Sequence, residues 1–175
     1  MQINTKLRDI SYIADKIEND FMVIGVSSSH IKGKRTGVAM VATINNTYTD
    51  FYNQEDIIHE EKKEQLQYCV SSFIEKAIQV YNENNNNYPK GIIIYRQGVS
   101  LQQKEYLKVE IGQIENTCET KNVPFYYILV NTKTTFKFFE KNGNQYKNPR
   151  SGLLVIEGVT NRNYFEFYIQ PQQVT

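Results

Sequence analysis

Residues 91–100 read GIIIYRQGVS, and this stretch decides the fold. Its first half is an apolar run rich in isoleucine, which has the length and composition of a buried strand. The polar turn YRQGVS, residues 95–100, follows the apolar run directly. Because α/β folds bind their ligands at the carboxyl ends of strands, we expect an α/β domain with a functional site in this turn.

Composition indicates one soluble domain. The chain has 175 residues, of which 40% are hydrophobic and 22% are charged, and its formal net charge is +1. Any affinity for nucleic acid must therefore come from locally placed Lys and Arg. Cys69 and Cys118 lie in helical apolar patterns, which is typical of free thiols in a reducing compartment. No apolar run reaches the roughly 20 residues of a membrane span, so we expect an intracellular protein, cytoplasmic or nuclear, without a membrane partner.

Hydrophobic periodicity predicts an order of elements. Strands are predicted at residues 21–26 and 37–44, with a return strand at 47–52 after an Asn-Asn turn. A long amphipathic helix follows at residues 56–81, then the strand at 91–95, a helix capped by Ser100, and a strand at 124–130. Short strands are predicted at residues 136–139, 153–156 and 164–169. This order matches a ribonuclease H-like mixed sheet flanked by helices, and an unspecialised α/β domain would show the same pattern.

The residues at the strand ends carry a resemblance to the Argonaute/Piwi family. Residues 95–100, followed by Gln103, resemble the family's tyrosine-arginine-aspartate-glycine-valine-serine signature. Residues 22–26, followed by Ser27 and His30, are similar to the first strand of the PIWI domain. Residues 1–20 resemble the junction from the MID domain, with Gln2 favouring the Piwi branch, and residues 21–175 resemble a PIWI domain without its carboxyl-terminal end. The resemblance implies a ribonuclease H-like fold.

The resemblance also implies a metal site, but this chain has neutral residues at the family's two aspartate positions. Slicing members of the family hold two divalent ions with carboxylates, because Mg²⁺ prefers hard oxygen ligands. Ser27 and Gln97 stand at the two aspartate positions. Glu64 falls at the glutamate position, where a solvated helix face is the alternative. Neutral side chains cannot balance two dications, so we expect no metal, no catalytic residue and a pseudo-nuclease rather than an enzyme.

For nucleic-acid binding, the resemblance implies the positions Gln2, Lys6, Arg96, Lys133 and Lys137. Lys6 matches a lysine that contacts the 5′ phosphate of the guide in this family, and an ordinary surface lysine is the alternative. Arg96 is predicted either to bind a backbone phosphate or to pair with an acidic group such as Glu64. Lys133, Lys137 and Lys141 alternate with phenylalanines on a predicted hairpin, which would follow an A-form duplex or cover a core.

The predicted function is that of a PIWI domain in a small-RNA silencing protein. It would bind a small guide RNA and a complementary target RNA, together with the remaining Argonaute/Piwi domains and effector proteins, without slicing. One alternative is a metal-dependent endoribonuclease that holds Mg²⁺ with carboxylates such as Asp50, Asp56 or Glu64. The other is a protein-interaction module that kept the fold. No cofactor is expected outside the first alternative.

Overall fold

The computed structural model describes residues 20–31, 35–59, 64–97, 99–100, 103–132, 136–158, 160 and 165–172. The chain divides into two compact units, Met1–Thr132 and Lys133–Thr175. The predicted boundary at residue 20, between a junction segment and the PIWI-like domain, adjoins residues outside the described part and stays a prediction. No helix in the described part of the chain is long and apolar enough to cross a membrane.

In its described residues, the first unit is built from a sheet and two helices. Its elements are β1 (Phe21–Ile31), β2 (Arg35–Thr43), β3 (Phe51–His59), α1 (Glu64–Asn85), β4 (Gly91–Gln97), α2 (Lys104–Glu119) and β5 (Phe125–Val130). The five-stranded sheet has the order β3-β2-β1-β4-β5. Strands β1 to β3 are antiparallel, whereas β4 runs parallel to β1 and β5 runs parallel to β4. The predicted α/β class and mixed sheet are confirmed.

The core lies between the helices and one face of the sheet. Met22, Ile24 and Val26 of β1 alternate with more exposed residues, as expected for a strand with one covered face. They join buried residues of β2, β4 and both helices, among them Phe73 of α1 and Ile114 of α2. The opposite face is more open, and its exposed side chains include Val41, Phe51, Ile57, Tyr95 and Tyr126.

The boundary between β3 and α1 differs from the prediction. The predicted strand at residues 47–52 and helix from residue 56 are wrong at this point, because β3 extends from Phe51 to His59 and α1 begins at Glu64. β3 is an edge strand whose register with β2 runs from Thr43↔Phe51 to Arg35↔His59. Backbone pairing with β2 sets this boundary, because tertiary context overrides local propensity.

The start of α2 also corrects the sequence-based expectation. Ser100 does not cap this helix, because α2 begins at Lys104 and Gln103 is its N-cap residue, without a side-chain capping bond. The Gln103 Oε1 atom instead accepts a hydrogen bond from the Ser100 backbone N–H at 3.0 Å. The Ser100 backbone is therefore hydrogen-bonded to the side chain of the residue at the N-cap position.

The second unit consists of two short hairpins in the described residues. β6 (Glu140–Asn142) pairs with β7 (Gln145–Lys147), and β8 (Leu153–Val155) pairs with β9 (Tyr168–Gln170). The predicted strand at residues 136–139 is wrong, since Phe136 and Phe138 precede β6 and contact the ring of Tyr168 at centroid distances of 5.5 and 5.6 Å. The hairpin therefore carries Lys141 but not Lys137, and Lys133 lies outside the described residues.

Candidate functional site

Ser27 and Gln97 lie side by side on neighbouring strands. The parallel register of β1 and β4 makes them Cα partners, and both are exposed. Parallel strands are about 4.8 Å apart, and residues in register project from the same face of the sheet. The structure thus brings together the two positions that the sequence marked, on the face opposite the helices. We call them the Ser27–Gln97 pair.

The residues in register with this pair include one carboxylate, Glu55, which lies two strands away from Ser27. Ala39 of β2 is the partner of Ser27, and Glu55 of β3 is the partner of Ala39. Two strand spacings, about 10 Å, separate the backbones of Glu55 and Ser27. On the other side, Val130 of β5 is the partner of Gln97. Within the described residues, no group of three His, Cys, Asp or Glu side chains is placed to hold a metal ion.

This donor set does not fit two divalent ions. A two-metal site holds its ions with carboxylates that offset their charge. The Ser27–Gln97 pair offers a hydroxyl and an amide, which carry no charge. The side chains that stand together here are therefore suited to hydrogen bonding rather than to clamping dications.

The other carboxylates considered for a metal site do not converge on this pair. Asp56 faces the helices, where its Oδ2 atom accepts a hydrogen bond from the Cys69 thiol at 3.3 Å. Asp50 lies in the turn before β3, where its Oδ2 atom accepts from Asn45 Nδ2 at 3.3 Å. Glu64 begins α1, and its side chain is outside the described part. Burial, followed by the bond to Asp56, raises the pKa of the Cys69 thiol to about 11, so this thiol is protonated and unreactive near neutral pH.

Directly behind the pair, on the helix side of the sheet, lies a buried ion pair. Arg96 and Glu110 both have 0% of their surface exposed. Arg96 Nε donates to Glu110 Oε1 at 2.9 Å, and Nη2 donates to Glu110 Oε2 at 3.4 Å. Arg96 Nη1 donates to Ser28 Oγ at 3.1 Å and to the backbone carbonyl of Gln97. The guanidinium therefore ties the ends of β1 and β4 together.

Two tyrosines complete the hydrogen bonding of the buried carboxylate. Tyr106 donates its hydroxyl to Glu110 Oε2 at 2.7 Å, and Tyr127 donates to Glu110 Oε1 at 2.6 Å. Burial, and then the negative charge of Glu110, raise the pKa of both tyrosines well above the usual value. Burial lowers the pKa of Arg96, but the charge and hydrogen bond of Glu110 outweigh it, and the net shift is upward. We call these four residues the Arg96–Glu110 cluster.

This placement corrects the prediction for Arg96. Of its two predicted roles, pairing with an acidic group is the one that the structure shows, and the partner is Glu110 rather than Glu64. A fully buried guanidinium is not available to a phosphate, so Arg96 leaves the set of candidate nucleic-acid contacts. The sequence held a signal for this pair, because Glu110 follows Leu107 and precedes Ile114 at helical spacing on the buried side of α2. A carboxylate on that side requires a charged partner.

The remaining candidate binding residues lie outside the described residues or in the second unit. Gln2, Lys6 and Lys133 lie outside the described residues. Lys137 is exposed and belongs to the second unit. Their role in binding stays a prediction.

Comparison with known proteins identifies the class to which this fold and site belong. The family described as Piwi domain matches residues 1–175, the whole chain. The chain therefore belongs to the Piwi domain family, and the predicted membership is confirmed.

Individual relatives agree with this assignment. The chain is 29% identical over 177 residues to Protein argonaute-3 of Drosophila melanogaster, a match that covers 99% of this chain and 20% of that protein. Its fold is similar to the crystal structure of Drosophila Piwi, with a TM-score of 0.76 at 20% identity over 99% of this chain and 24% of the other. It is also similar to Kluyveromyces polysporus Argonaute with a guide RNA, with a TM-score of 0.63 at 19% identity over 91% of this chain and 21% of the other. The chain thus spans about a fifth of the length of such relatives.

Proposed function

We propose that this chain holds a guide RNA paired with its target RNA, as part of a small-RNA silencing protein, and that it does not cut the target. Membership of the Piwi domain family and the similarity to an Argonaute that holds a guide RNA support the binding role. The observation that carries the absence of cutting is the register of Ser27 with Gln97. In this proposal, silencing inside the cell depends on the remaining Argonaute/Piwi domains and on recruited effector proteins.

The chemistry of phosphodiester hydrolysis explains why the Ser27–Gln97 pair matters. Two-metal nucleases stabilise both the attacking and the leaving oxygen with ions that carboxylates hold in place. A hydroxyl and an amide at adjacent positions do not supply the negative charge that such ions need. Glu55, whose backbone lies about 10 Å away across two strands, supplies a single carboxylate, which does not offset the charge of two dications. In this proposal, the chain binds the nucleic acid but does not cleave it.

The binding half of the proposal is tested by a salt titration. A fluorescent guide RNA with a 5′ phosphate, paired with its target, is titrated with the protein while anisotropy is measured. Affinity should fall steeply as salt rises, because phosphate contacts release counterions. Lys6→Ala and Lys137→Ala should each weaken binding and lower the slope of log K against log salt by roughly 0.7 to 0.9. Lys76→Ala is the matched control, since Lys76 is exposed on α1.

Binding that does not respond to salt would contradict contact with the phosphate backbone and favour the protein-interaction module. Equal effects of Lys6→Ala, Lys137→Ala and Lys76→Ala would instead show that the contacts are general surface attraction.

The cleavage half of the proposal is tested separately. End-labelled target RNA paired with its guide is incubated with the protein in Mg²⁺ or Mn²⁺, and the products are resolved on a gel. We expect the target to stay intact in both metals. A single cut opposite the guide, abolished by a chelator, would establish the slicer alternative.

A further inference from the structure

The Ser27–Gln97 pair has two hydrogen-bonding side chains that no protein group uses among the residues that the structure describes. Among the described residues, the hydrogen bonds near the pair go to Ser28 Oγ and to the backbone carbonyl of Gln97. Neither the Ser27 hydroxyl nor the Gln97 amide has a partner in that part of the chain. Both side chains are exposed, so their donors are available to a ligand.

The surroundings leave space and impose little repulsion on an anion. Ala39, beside Ser27 on β2, and Gly25, the preceding residue of β1 on the same face, have small side chains or none. The carboxylate in register with the pair is that of Glu55, whose backbone lies about 10 Å away across two strands. An anionic group approaching the pair meets donors first.

The backbone that carries the pair is also held in place from behind. Arg96 Nη1 bonds both to Ser28 Oγ, one residue beyond Ser27, and to the backbone carbonyl of Gln97 itself. The guanidinium is in turn fixed by Glu110 at 2.9 Å. Donors whose backbone is fixed on paired strands bind a ligand at a lower entropic cost than donors on a loose loop, because only their side chains must be ordered.

We infer that the Ser27 hydroxyl and the Gln97 Nε2–H group bind one phosphate of the nucleic-acid backbone directly, without a metal ion. This inference rests on the proposed function and adds to it the contact that occupies the substituted strand ends. Two carboxylates at these positions would repel a phosphate unless cations lay between them, whereas a hydroxyl and an amide donate to its oxygens. The substitutions thus replace a metal-mediated contact with a direct one.

The test compares variants of the pair in the presence and absence of metal. Anisotropy with the labelled guide-target duplex is measured for the wild type, Ser27→Ala, Gln97→Ala and the double variant. Each measurement is made in EDTA and in Mg²⁺ at matched ionic strength. The wild type should bind equally well in both. Each alanine variant should bind about three- to tenfold more weakly in both, the effect of losing one hydrogen bond.

Asn53 supplies the matched control. It is an exposed amide on the same face of the sheet, and its partner Val41 separates it from Gly25 of β1. Asn53→Ala should leave affinity unchanged. Two further variants, Gln97→Asp and Asn53→Asp, are compared with each other because both add one negative charge. In EDTA, Gln97→Asp should weaken binding at least tenfold, because like charges brought together are strongly unfavourable, and Asn53→Asp should have little effect.

The outcomes separate this inference from the proposed function. If the wild type binds no duplex, both the proposed function and the inference are wrong. If the Ser27→Ala/Gln97→Ala variant binds as tightly as the wild type, or if wild-type binding requires Mg²⁺, the inference alone is wrong. Unchanged circular dichroism and melting temperatures establish that the variants are folded.

A second measurement identifies the phosphate. Uncharged methylphosphonates are placed one at a time along the target strand, and each duplex is titrated with the wild type and with Gln97→Ala. At one position the modification and the variant should be non-additive, because each removes the same contact. Additive effects at every position would show that Gln97 contacts no backbone phosphate.

Discussion

Arg96 and Gln97 are neighbours on β4, yet their side chains lie in opposite environments. Arg96 is fully buried and paired with Glu110, whereas Gln97 is exposed beside Ser27. The alternation of a strand places one on the helix side and the other on the open face. The charges of Arg96 and Glu110 are therefore committed to holding the strand ends together, whereas the Ser27–Gln97 pair presents neutral donors.

The two regions also differ in what each is expected to contribute. A buried charge without its partner is strongly destabilising, so the Arg96–Glu110 cluster should dominate the stability of the strand ends. The Ser27–Gln97 pair contacts water and should contribute little to folding. The following changes test that division.

The largest effect is expected from Glu110→Ala. Removal of the carboxylate leaves a buried guanidinium without compensation, which should lower the free energy of unfolding by about 3 to 5 kcal/mol. Urea unfolding followed by circular dichroism measures the change. Glu105→Ala is the control, because Glu105 forms an exposed pair with Lys108 at 3.2 Å, and it should cost at most about 0.5 kcal/mol.

An alternative explanation is that Glu110→Ala acts only through the cavity it leaves. In Arg96→Met/Glu110→Leu, apolar groups replace both charges, and this variant should be more stable than Glu110→Ala. The importance of the buried charge is refuted if the two variants are equally unstable.

A smaller loss is expected from Tyr127→Phe. This change removes the hydroxyl that donates to Glu110 Oε1 at 2.6 Å and keeps the ring. A hydrogen bond to a charged group contributes about 1.5 to 3 kcal/mol to the free energy of unfolding. Tyr126→Phe, at the preceding and 60% exposed position, should change it by less than about 0.5 kcal/mol. Equal losses in the two variants would contradict a specific role for the Tyr127 hydroxyl.

The raised pKa of Tyr127 predicts how stability depends on pH. In the unfolded chain a tyrosine loses its proton near pH 10.0, whereas the folded chain holds it to higher pH. The unfolded state therefore binds fewer protons above pH 10, and stability falls as pH rises toward the pKa of the folded state. The contribution of Tyr127 is fully present below pH 10 and decreases by about 1.4 kcal/mol per pH unit above it.

Unfolding free energies of the wild type and Tyr127→Phe, measured between pH 9 and pH 11.5, should converge as pH rises. Burial also raises the pKa of Cys118, but this thiol affects both proteins alike and cancels in the difference. A constant difference across this range would mean that the Tyr127 pKa is not shifted by folding.

The smallest effects are expected on the open face. Ser27→Ala and Gln97→Ala should each change the free energy of unfolding by less than about 0.5 kcal/mol. Ser27→Asp/Gln97→Asp places like charges on neighbouring strands and should lower it by about 0.2 to 1 kcal/mol in EDTA. The wild-type melting temperature should not respond to Mg²⁺, and a rise with Mg²⁺ would show that the wild type binds the ion after all.

The sequence by itself determined the class of fold and the position of the site. The GIIIYRQGVS stretch begins with a short apolar run and ends in polar residues, so local composition alone predicts a buried strand and its end. The buried apolar face of α2 could also be predicted from the sequence, because the spacing of apolar residues along a helix determines which face is buried. The neutral residues at positions 27 and 97 can be read directly from the chain.

The tertiary structure decided what depends on distant partners. The boundary between β3 and α1 follows from pairing with β2, and the partner of Arg96 lies 14 residues away on α2. Only the parallel register of β1 and β4 makes neighbours of Ser27 and Gln97, which are far apart in the chain. Spacing along a chain predicts which face a side chain occupies, but register and packing choose its neighbours, because they depend on contacts between separate segments.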